Sequence, residues 1–541
     1  MKHLFQICIF FFLIFASSVM LGQKWIPQET ILPNDSSIES QDHIGNAIAV
    51  TENYLLAGAH FHHYDSMGQD RIFNAGAAYM YRKTATGDWE LHQKLVSENR
   101  KPTAFFGDKL AMSDQWVAIA SPYAKVDSVV GSSQVGIVEM YQLTSAGFWQ
   151  FDTTLLAPFP IFGGHFGSAL ALSGNRVLIG SDGDNYDENE ADSIREAGAT
   201  FVFEYEAGKG WEFVQKLVAS DRQEEAHFGQ VLALDGDRAV ISAPHFDVEN
   251  PFINFESGQA YIFERSPVSG VWEEVQILQD QLAESYEYYG RYPDISGDYV
   301  MIGNPTEDDL PGGERLTEAG SVEVYHRENS GEWVLHQVLV ASDRAYKDHF
   351  GTVCLKGNVA LIGALTEDHI GMNMDSLTSA GSVYAFDLQA NGQWRESAKI
   401  VAPLRNQFDQ FGYVMDLQGE TLIVGVPFAA HDSVFYDAGL VYVFEREWPL
   451  AIDRQTVFSD LPIQLLHNPS AELSLRNQSG QPQTVDLQLL DLNGKQLIQK
   501  TVPIVDSWTQ DFPSLAAGIY LVKWTHPDFG QHVQKWMKIE R

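Results

Sequence analysis

Apolar and polar residues alternate along most of this chain in short runs, and the runs recur with a fixed period. An aromatic or aliphatic residue followed by glycine occurs seven times, and successive glycines lie 62, 60, 62, 61, 61 and 61 residues apart. The pairs are Ile44-Gly45, Phe106-Gly107, Phe166-Gly167, Phe228-Gly229, Tyr289-Gly290, Phe350-Gly351 and Phe411-Gly412. Such a repeat is typical of an array of similar structural units.

Each repeat contains four apolar segments. The first alternates, the second is a nearly continuous apolar run, the third is led by glycine and rich in aromatic residues, and the fourth begins at tryptophan. In the third repeat they are residues 170–172, 177–180, 198–203 and 211–217. Period-two alternation with β-branched and aromatic residues predicts strands. Four strands in each of seven repeats predict an all-β fold, a seven-bladed β-propeller.

The last repeat lacks its fourth segment, because no aliphatic residue stands six residues after Trp448. Trp25 and Ile31 have that spacing at the start of the chain. Residues 23–33 are therefore predicted to supply the outer strand of blade seven. The propeller would then span residues 23–448 and leave no open sheet edge.

These repeats resemble the FG-GAP repeat, the blade unit of integrin α-chain propellers and of many bacterial surface proteins. The resemblance covers residues 23–448 and implies an extracellular binding or adhesion module. It also implies Ca²⁺ as a cofactor, held in a loop where aspartates alternate before a glycine. No repeat here keeps that full pattern; the nearest segment is Asp182-Gly183-Asp184 with Asp187.

The N-terminus has the pattern of a secretory signal peptide over residues 1–22. Lys2 is followed by an apolar run over residues 4–16 and by small residues before Gln23. Once this segment is removed, Cys354 is the only cysteine, so no intramolecular disulfide can form. Cys354 falls on an apolar strand face and is predicted to be a small buried hydrophobe.

The period ends before residue 462, and residues 449–461 are predicted to be a linker. Residues 462–541 hold seven basic and seven acidic side chains, whereas residues 23–461 hold 27 basic and 65 acidic ones, a net charge of −38. Short alternating runs flank Asn493-Gly494, a strong hairpin signal. The tail is therefore predicted to be a small Ig-like β-sandwich.

The tail also resembles the C-terminal sorting domain of type IX secretion substrates. The matching segments are Asn468-Pro469, residues 491–495, residues 515–520 and Lys535-Trp536-Met537-Lys538. His467 stands where that family usually has proline. With the signal peptide, the resemblance implies export through the periplasm to the outer-membrane surface or the medium, with the secretion machinery as a partner. The alternative is an ordinary accessory β-sandwich.

The acidic balance excludes several partners. A net charge of −37 argues against nucleic-acid binding, which needs clustered basic side chains, and against a polybasic grip on lipid. The chain has no nucleophile-elbow motif, no phosphate-binding glycine loop and no zinc-spaced Cys/His set. Catalysis therefore has no positive support from motifs, and a monomer is expected.

The connections from the second to the third strand and from the fourth to the next first strand are predicted to share one face. They are long, and long loops on a rigid scaffold are where binding usually resides. Aspartate recurs twenty residues after the anchor glycine, at Asp65, Asp127, Asp187 and Asp432. Histidine recurs just before the aromatic–glycine pair, at His43, His165, His227 and His349.

Two interpretations of these recurrences stay open. A ring of carboxylates and imidazoles could hold Ca²⁺, which takes six to eight oxygens; alternatively each aspartate caps its own turn and each histidine fills a repeated niche. The leading hypothesis is a secreted or surface-displayed module that binds a protein or glycan. The alternatives are a hydrolase or lyase acting on extracellular polymers, or a scaffold within a surface complex.

Overall fold

The computed structural model describes residues 24–32, 35–126, 134–249, 253–280, 284–308, 315–368, 377–430, 437–447, 463–466, 473–477, 483–490, 496–505, 507–510, 518–526 and 530–538. The predicted signal peptide and linker lie outside these residues. The chain divides into two compact units, one of Trp25–Arg446 and one of Met1–Lys24 with Glu447–Arg541.

The larger unit is built from four-stranded antiparallel sheets, of which its described residues form seven. The first strand among the described residues is β1 (Lys24–Ile31). Sheet 1 contains β2 (Ile48–Val50), β3 (Tyr54–Ala59), β4 (Ala77–Lys83) and β5 (Trp89–Leu95). Sheet 2 contains β6 (Leu110–Met112), β7 (Trp116–Ser121), β8 (Ile137–Leu143) and β9 (Trp149–Leu155). Sheet 3 contains β10 (Leu170–Ser173), β11 (Arg176–Ser181), β12 (Ala199–Glu206) and β13 (Gly210–Leu217).

The next three sheets follow the same order. Sheet 4 contains β14 (Val231–Asp235), β15 (Arg238–Ala243), β18 (Gln259–Arg265) and β19 (Trp272–Leu278). Between β15 and β18, the strands β16 (Val248–Glu249) and β17 (Ile253–Asn254) form a separate two-stranded sheet. Sheet 5 contains β20 (Tyr292–Ser296), β21 (Tyr299–Asn304), β22 (Ser321–Arg327) and β23 (Trp333–Leu339). Sheet 6 contains β24 (Phe350–Lys356), β25 (Val359–Ala364), β26 (Ser382–Leu388) and β27 (Trp394–Ile400).

Sheet 7 joins the two ends of the larger unit. It contains β28 (Val414–Gln418), β29 (Thr421–Val426) and β30 (Leu440–Glu447), and its fourth position, beside β30, is taken by β1. Trp25 of β1 is buried, as the tryptophans that open most other fourth strands are. The N-terminal strand thus completes the sheet formed by the last three strands of this unit.

Hydrophobic cores lie between consecutive sheets. Leu56 of sheet 1 belongs to the same buried cluster as Phe106 of sheet 2. Equivalent clusters fill the following interfaces. Ile423 of sheet 7 then packs with Leu55 of sheet 1. Because the seventh sheet packs against the first, the series of sheets closes on itself, and apolar burial stabilises every interface.

Glutamine side chains link the fourth strands of neighbouring sheets. Gln276 Nε2 donates to the Trp333 carbonyl at 2.6 Å, and its Oε1 accepts the Trp333 N–H at 2.8 Å. The same pair of bonds joins Gln93 to Trp149, Gln215 to Trp272 and Gln337 to Trp394. Each amide therefore satisfies two backbone groups at a sheet edge.

The tail contains two antiparallel sheets. One is formed by β31 (Ile463–Leu466), β32 (Leu473–Asn477) and β35 (Ser507–Gln510), and the other by β33 (Gln483–Leu490), β34 (Gln496–Ile504), β36 (Gly518–His526) and β37 (Gly530–Lys538). Leu475 of the first sheet shares a buried cluster with Leu487 and Val502 of the second. The Ig-like assignment stays a prediction.

The all-β prediction is confirmed, because the described residues contain strands and no helix. The larger unit has the arrangement of a β-propeller, with antiparallel sheets packed face to face in succession. No helix among the residues described is long and apolar enough to cross a membrane. Cys354 is buried, and burial raises the pKa of its thiol.

Candidate functional site

The aromatic–glycine pairs form joints between neighbouring sheets. The Phe228 N–H donates to the carbonyl of Ala197, the residue before the glycine that leads the preceding third strand, at 2.9 Å. The six equivalent bonds run from Ile44 to Ala438, Phe106 to Ala75, Phe166 to Val135, Tyr289 to Ser257, Phe350 to Ala319 and Phe411 to Ala380. Each joint ties a second-to-third-strand connection to a fourth-to-first-strand connection. Both sets of connections therefore meet on one face, here called the loop face.

The recurring histidines occupy a left-handed backbone position of this joint. His43, His165, His227 and His349 have φ between 52° and 57°. Phe105, Tyr288 and Gln410 take the same position in the other three joints, with φ of 58°, 57° and 53°. Histidine is one of the residues enriched at positive φ, so the backbone accounts for part of the recurrence.

The four histidine side chains do not converge on one point. Their neighbours are Phe61 and Phe428 for His43, Asp182 for both His165 and His227, and Glu318 with Thr366 for His349. The Nδ1 of His165 lies 3.1 Å from Asp182 Oδ1. Burial lowers the pKa of His43. Each imidazole therefore belongs to its own joint on the loop face.

The aspartates of the sequence prediction are also separated. Asp65 accepts the N–H groups of Met67 and Gln69 at 3.1 and 2.8 Å, so it caps its own loop. Asp187 does the same for the N–H groups of Asn189 and Ala191. These backbone hydrogen bonds lower the pKa of both carboxyls. Asp127 and Asp432 lie outside the described residues.

In the segment that most resembles a calcium loop, the three aspartates each contact a different partner. Asp182 faces His165, and Asp184 is buried against Lys216 with 3.0 Å between its Oδ1 and the lysine Nζ. Asp187 binds its own loop. Among the described residues the structure does not gather these three carboxylates within ligand distance of one another.

Exposed aromatic side chains occur in the loop-face connections around the circle of sheets. Their exposed fractions run from 36% for Tyr413 to 65% for Tyr346. The set consists of Phe73, Tyr123, Phe159, Phe162, Phe255, Tyr286, Tyr346, Phe408 and Tyr413. Exposed aromatic rings offer apolar faces on which a ligand can stack. Sequence reasoning had placed binding on this face without identifying these residues.

A cavity of about 500 Å³ lies among the first strands of all seven sheets. Its lining includes Lys109, Arg291, Tyr123, Tyr413 and Asp182. Tyr123 and Asp182 also belong to loop-face connections, so the cavity opens within that face. Its volume is within the range of pockets for small ligands.

Two connections next to sheet 1 place a serine, a histidine and an aspartate side chain beside one another. Ser37 Oγ lies 3.5 Å from His62 Nε2, and His62 Nδ1 lies 2.8 Å from Asp42 Oδ2. The Ser37 hydroxyl, however, donates to Asp35 at 2.6 Å and accepts from Lys94 at 3.0 Å. His62 is completely buried. A nucleophile needs a hydroxyl that is activated by its base and open to substrate, so this group supports structure rather than hydrolysis.

Sheet 5 contains a buried acidic group that the sequence reasoning missed. Carboxylate oxygens of Asp280, Glu287 and Glu307 lie within 4.8 Å of one another, and all three residues are buried. Glu323, also buried, accepts hydrogen bonds of 2.7 Å from Tyr289 and from Tyr325. Burial raises the pKa of Glu287 to about 8 and that of Glu323 to about 7. The group offers the all-oxygen donor set that Ca²⁺ prefers.

The connection that enters sheet 6 contains another buried acidic residue, Asp348. Its raised pKa predicts that the free energy of unfolding depends on pH. Burial, together with the Glu367 carboxylate, raises the pKa of Asp348 from 3.8 to about 7. Between these values the folded state holds a proton that the unfolded state has released, so stability falls as the pH rises through this interval. Asp348→Asn is expected to flatten the fall, as measured by urea unfolding from pH 4.5 to 7.5.

The matched control for this prediction is Asp187→Asn. Asp187 is only partly buried and backbone hydrogen bonds lower its pKa, so its contribution to stability changes below the pH interval tested. Its variant should keep the slope of the unmodified protein. If the free energy of unfolding fell with pH equally steeply in Asp348→Asn and in the unmodified protein, Asp348 would not be its cause.

Comparisons with known proteins agree with the repeat structure. The family model described as "FG-GAP repeat" matches residues 211–263, 333–386 and 394–444. Each match begins in a fourth strand and ends in the third strand of the next sheet. No curated protein matches the chain.

Among solved structures, the chain is similar to Sqt1 of Saccharomyces cerevisiae. The identity is 9%, the alignment covers 78% of this chain and 100% of that one, and the TM-score is 0.40. A TM-score at that level does not establish a shared fold. Three segments of the chain thus match the FG-GAP repeat, and the described residues of the larger unit form a propeller-like circle of four-stranded sheets.

Proposed function

We propose that the chain is an exported binding protein whose seven-bladed propeller engages an extracellular glycan through the loop face. The observation that carries the proposal is the series of exposed aromatic side chains in the loop-face connections. The apolar C–H faces of sugars stack on aromatic rings, while sugar hydroxyls need hydrogen-bond partners. The carboxylates and imidazoles between the rings supply such partners.

Several features support this proposal over a flat protein interface. The aromatic residues come one or two at a time from separate connections, and polar side chains lie between them, as the pairs His165–Asp182 and His349–Glu318 illustrate. A long polymer can contact several such positions in succession. The acidic balance of residues 23–461 disfavours highly charged polyanions and leaves neutral polymers as the preferred class.

Export is part of the proposal. The signal-peptide pattern of residues 1–22 and the sorting-domain resemblance of residues 462–541 support a route through the periplasm to the cell surface. Removing residues 462–541 should leave the protein in the periplasm. Cell fractionation measures this, and normal surface display of the truncated chain would contradict the role of the tail.

The binding proposal predicts the effect of removing three neighbouring rings. The triple variant Tyr286→Ala, Tyr346→Ala and Phe408→Ala should weaken glycan binding by more than about tenfold, because each ring contributes roughly 1 kcal/mol. A glycan array identifies the ligand, and titration calorimetry measures its affinity. All three side chains are more than half exposed, so the fold should be retained.

The control is Phe148→Ala. Phe148 is also about half exposed, at 51%, but it lies in the turn between the third and fourth strands of sheet 2. Its variant should bind as the unmodified protein does. Absence of any glycan ligand, or equal losses in both variants, would contradict the proposal; capture of a defined protein instead would favour a protein ligand.

A further inference from the structure

One position of the repeat surrounds the cavity of about 500 Å³ in the loop face, here called the central cavity. The residue directly after the anchor glycine lines this cavity in all seven repeats. In the fifth repeat it is Arg291, and in the others it is Asn46, Asp108, Ser168, Gln230, Thr352 and Tyr413. Every one of these side chains carries a polar group, so all seven sheets offer hydrogen-bonding groups to the cavity.

Two of these residues show what the position does for the fold. Asn46 Nδ2 donates to the carbonyl of Gly107, the anchor glycine of the next repeat, at 3.3 Å. Ser168 Oγ donates in the same way to the carbonyl of Gly229 at 3.5 Å. A side chain at this position can therefore tie its own sheet to the next one.

Arg291 instead brings a positive charge to the cavity. Its side chain is exposed, and its guanidinium carbon lies 5.8 Å from the centroid of the Tyr292 ring. Among the residues that the structure describes, Arg291 forms no ion pair. Its charge is therefore not neutralised by a described carboxylate of the chain.

The acidic residues of the cavity are engaged with other partners. The lining contains two acidic and two basic residues, whereas residues 23–461 hold 65 acidic and 27 basic ones. Asp108 pairs with Lys109 at 3.0 Å, and Asp182 faces His165 at 3.1 Å. Arg291 is thus the charge of the lining that remains for a ligand. A guanidinium suits a carboxylate, which it can bind through two parallel hydrogen bonds.

An arc of aromatic rings borders the other side of the central cavity. It begins at Tyr413 and ends at His165, and the rings between them are, in order, Phe428, His43, Phe61, Phe105 and Tyr123. Tyr413, Tyr123 and His165 also line the cavity. The arc extends along sheets 7, 1, 2 and 3, whereas Arg291 belongs to sheet 5. A ligand in the cavity can therefore meet a guanidinium on one side and aromatic rings on the other.

We propose that the central cavity binds a single uronic acid unit of a glycan, with its carboxylate on Arg291 and its sugar ring against the aromatic arc. This binding mode rests on the proposed function, because the unit belongs to a glycan held on the loop face. The C–H face of the sugar packs on the tyrosine rings, and its hydroxyls bond the polar side chains around the cavity. A largely neutral polymer with isolated acidic units also agrees with the net charge of the larger unit, which disfavours polyanions.

Free sugars test the site on the purified full-length chain, by ligand-observed NMR and titration calorimetry. The probes are glucuronic acid and galacturonic acid, each compared with its neutral counterpart, glucose or galactose. The acids should bind at least about tenfold more tightly, because hydrogen bonds between charged groups are stronger than neutral ones. Added salt should reduce this preference.

The decisive variant is Arg291→Gln, which removes the charge and keeps a polar side chain. It should lower the affinity for both uronic acids to that for the neutral sugars. Arg291→Lys keeps the charge without the paired hydrogen bonds and should retain part of the preference. The matched control is Lys125→Gln, since Lys125 is exposed in a loop-face connection but does not line the cavity. Its variant should bind all four sugars as the unmodified protein does.

Two results would overturn the cavity site. One is an unmodified protein that binds neither acid, or binds the acids no more tightly than the neutral sugars. The other is a preference for the acids that persists in Arg291→Gln. Neutral glycans that still bind in either case would leave the proposed function standing without this site. Uronic acid binding that depends on Arg291, with no polymer bound, would uphold the site and contradict only the binding of a polymer across the loop face.

Discussion

Replacing Gly198 with alanine is expected to prevent the larger unit from reaching its folded state. Gly198 has φ of +85°, and a Cβ on it would lie 2.1 Å from the Phe228 carbonyl oxygen and 2.4 Å from the Phe228 nitrogen. These are backbone atoms of the joint between sheets 3 and 4, so no side chain can move aside. Separating them would break the hydrogen bond from Phe228 to Ala197.

The expected loss exceeds about 4 kcal/mol, which is a large part of the stability of a typical domain. Gly208→Ala provides a control for the backbone conformation alone. Gly208 has φ of +86° with nothing within 4 Å of its Cβ position, so the cost should be about 1 kcal/mol. Urea unfolding followed by circular dichroism measures both. Similar midpoints for the two variants would show that the joint tolerates a methyl group.

Removing the ammonium of Lys216 is expected to produce the second largest loss. Lys216 is 3% exposed and its Nζ lies 3.0 Å from Asp184, which is 2% exposed, and 2.7 Å from Glu190. In Lys216→Met the apolar stem remains but Asp184 is left as a buried carboxylate without its cation. Breaking a buried pair in this way costs about 3–5 kcal/mol.

Lys209→Met is the matched control for this loss. Lys209 pairs with Glu206 on the surface, where both side chains are more than half exposed, and water and salt screen the pair. Its variant should keep the unfolding midpoint of the unmodified protein. Thermal and urea unfolding of both variants test the difference, and a Lys216→Met protein as stable as the control would show that Asp184 and Glu190 do not need the lysine ammonium.

Much of the fold could be predicted because the same pattern of apolar segments recurs from repeat to repeat. The regular spacing of the aromatic–glycine pairs and the tryptophans predicts strands, their number per repeat and an all-β fold. The joints themselves could not be predicted in this way. The bond from Phe228 to Ala197 connects residues 31 positions apart, and only the packed sheets show that Phe228 serves a core through its side chain and a joint through its backbone N–H.

The candidate sites were less accessible to sequence reasoning. Recurrence drew attention to His43 and Asp65, but a backbone position with positive φ and a loop cap also produce recurrence. The buried acidic group of Asp280, Glu287 and Glu307 escaped because its residues come from two separate connections that only the fold brings together.

The position of β1 has a consequence for the order in which the protein can assemble. In the proposed export β1 would emerge before β28, β29 and β30, and it would have to wait for them because sheet 7 contains all four strands. Until then β1 has unpaired edges that another chain could occupy. Vectorial export would therefore favour a chaperone or the secretion machinery that shields both ends until the last strand emerges.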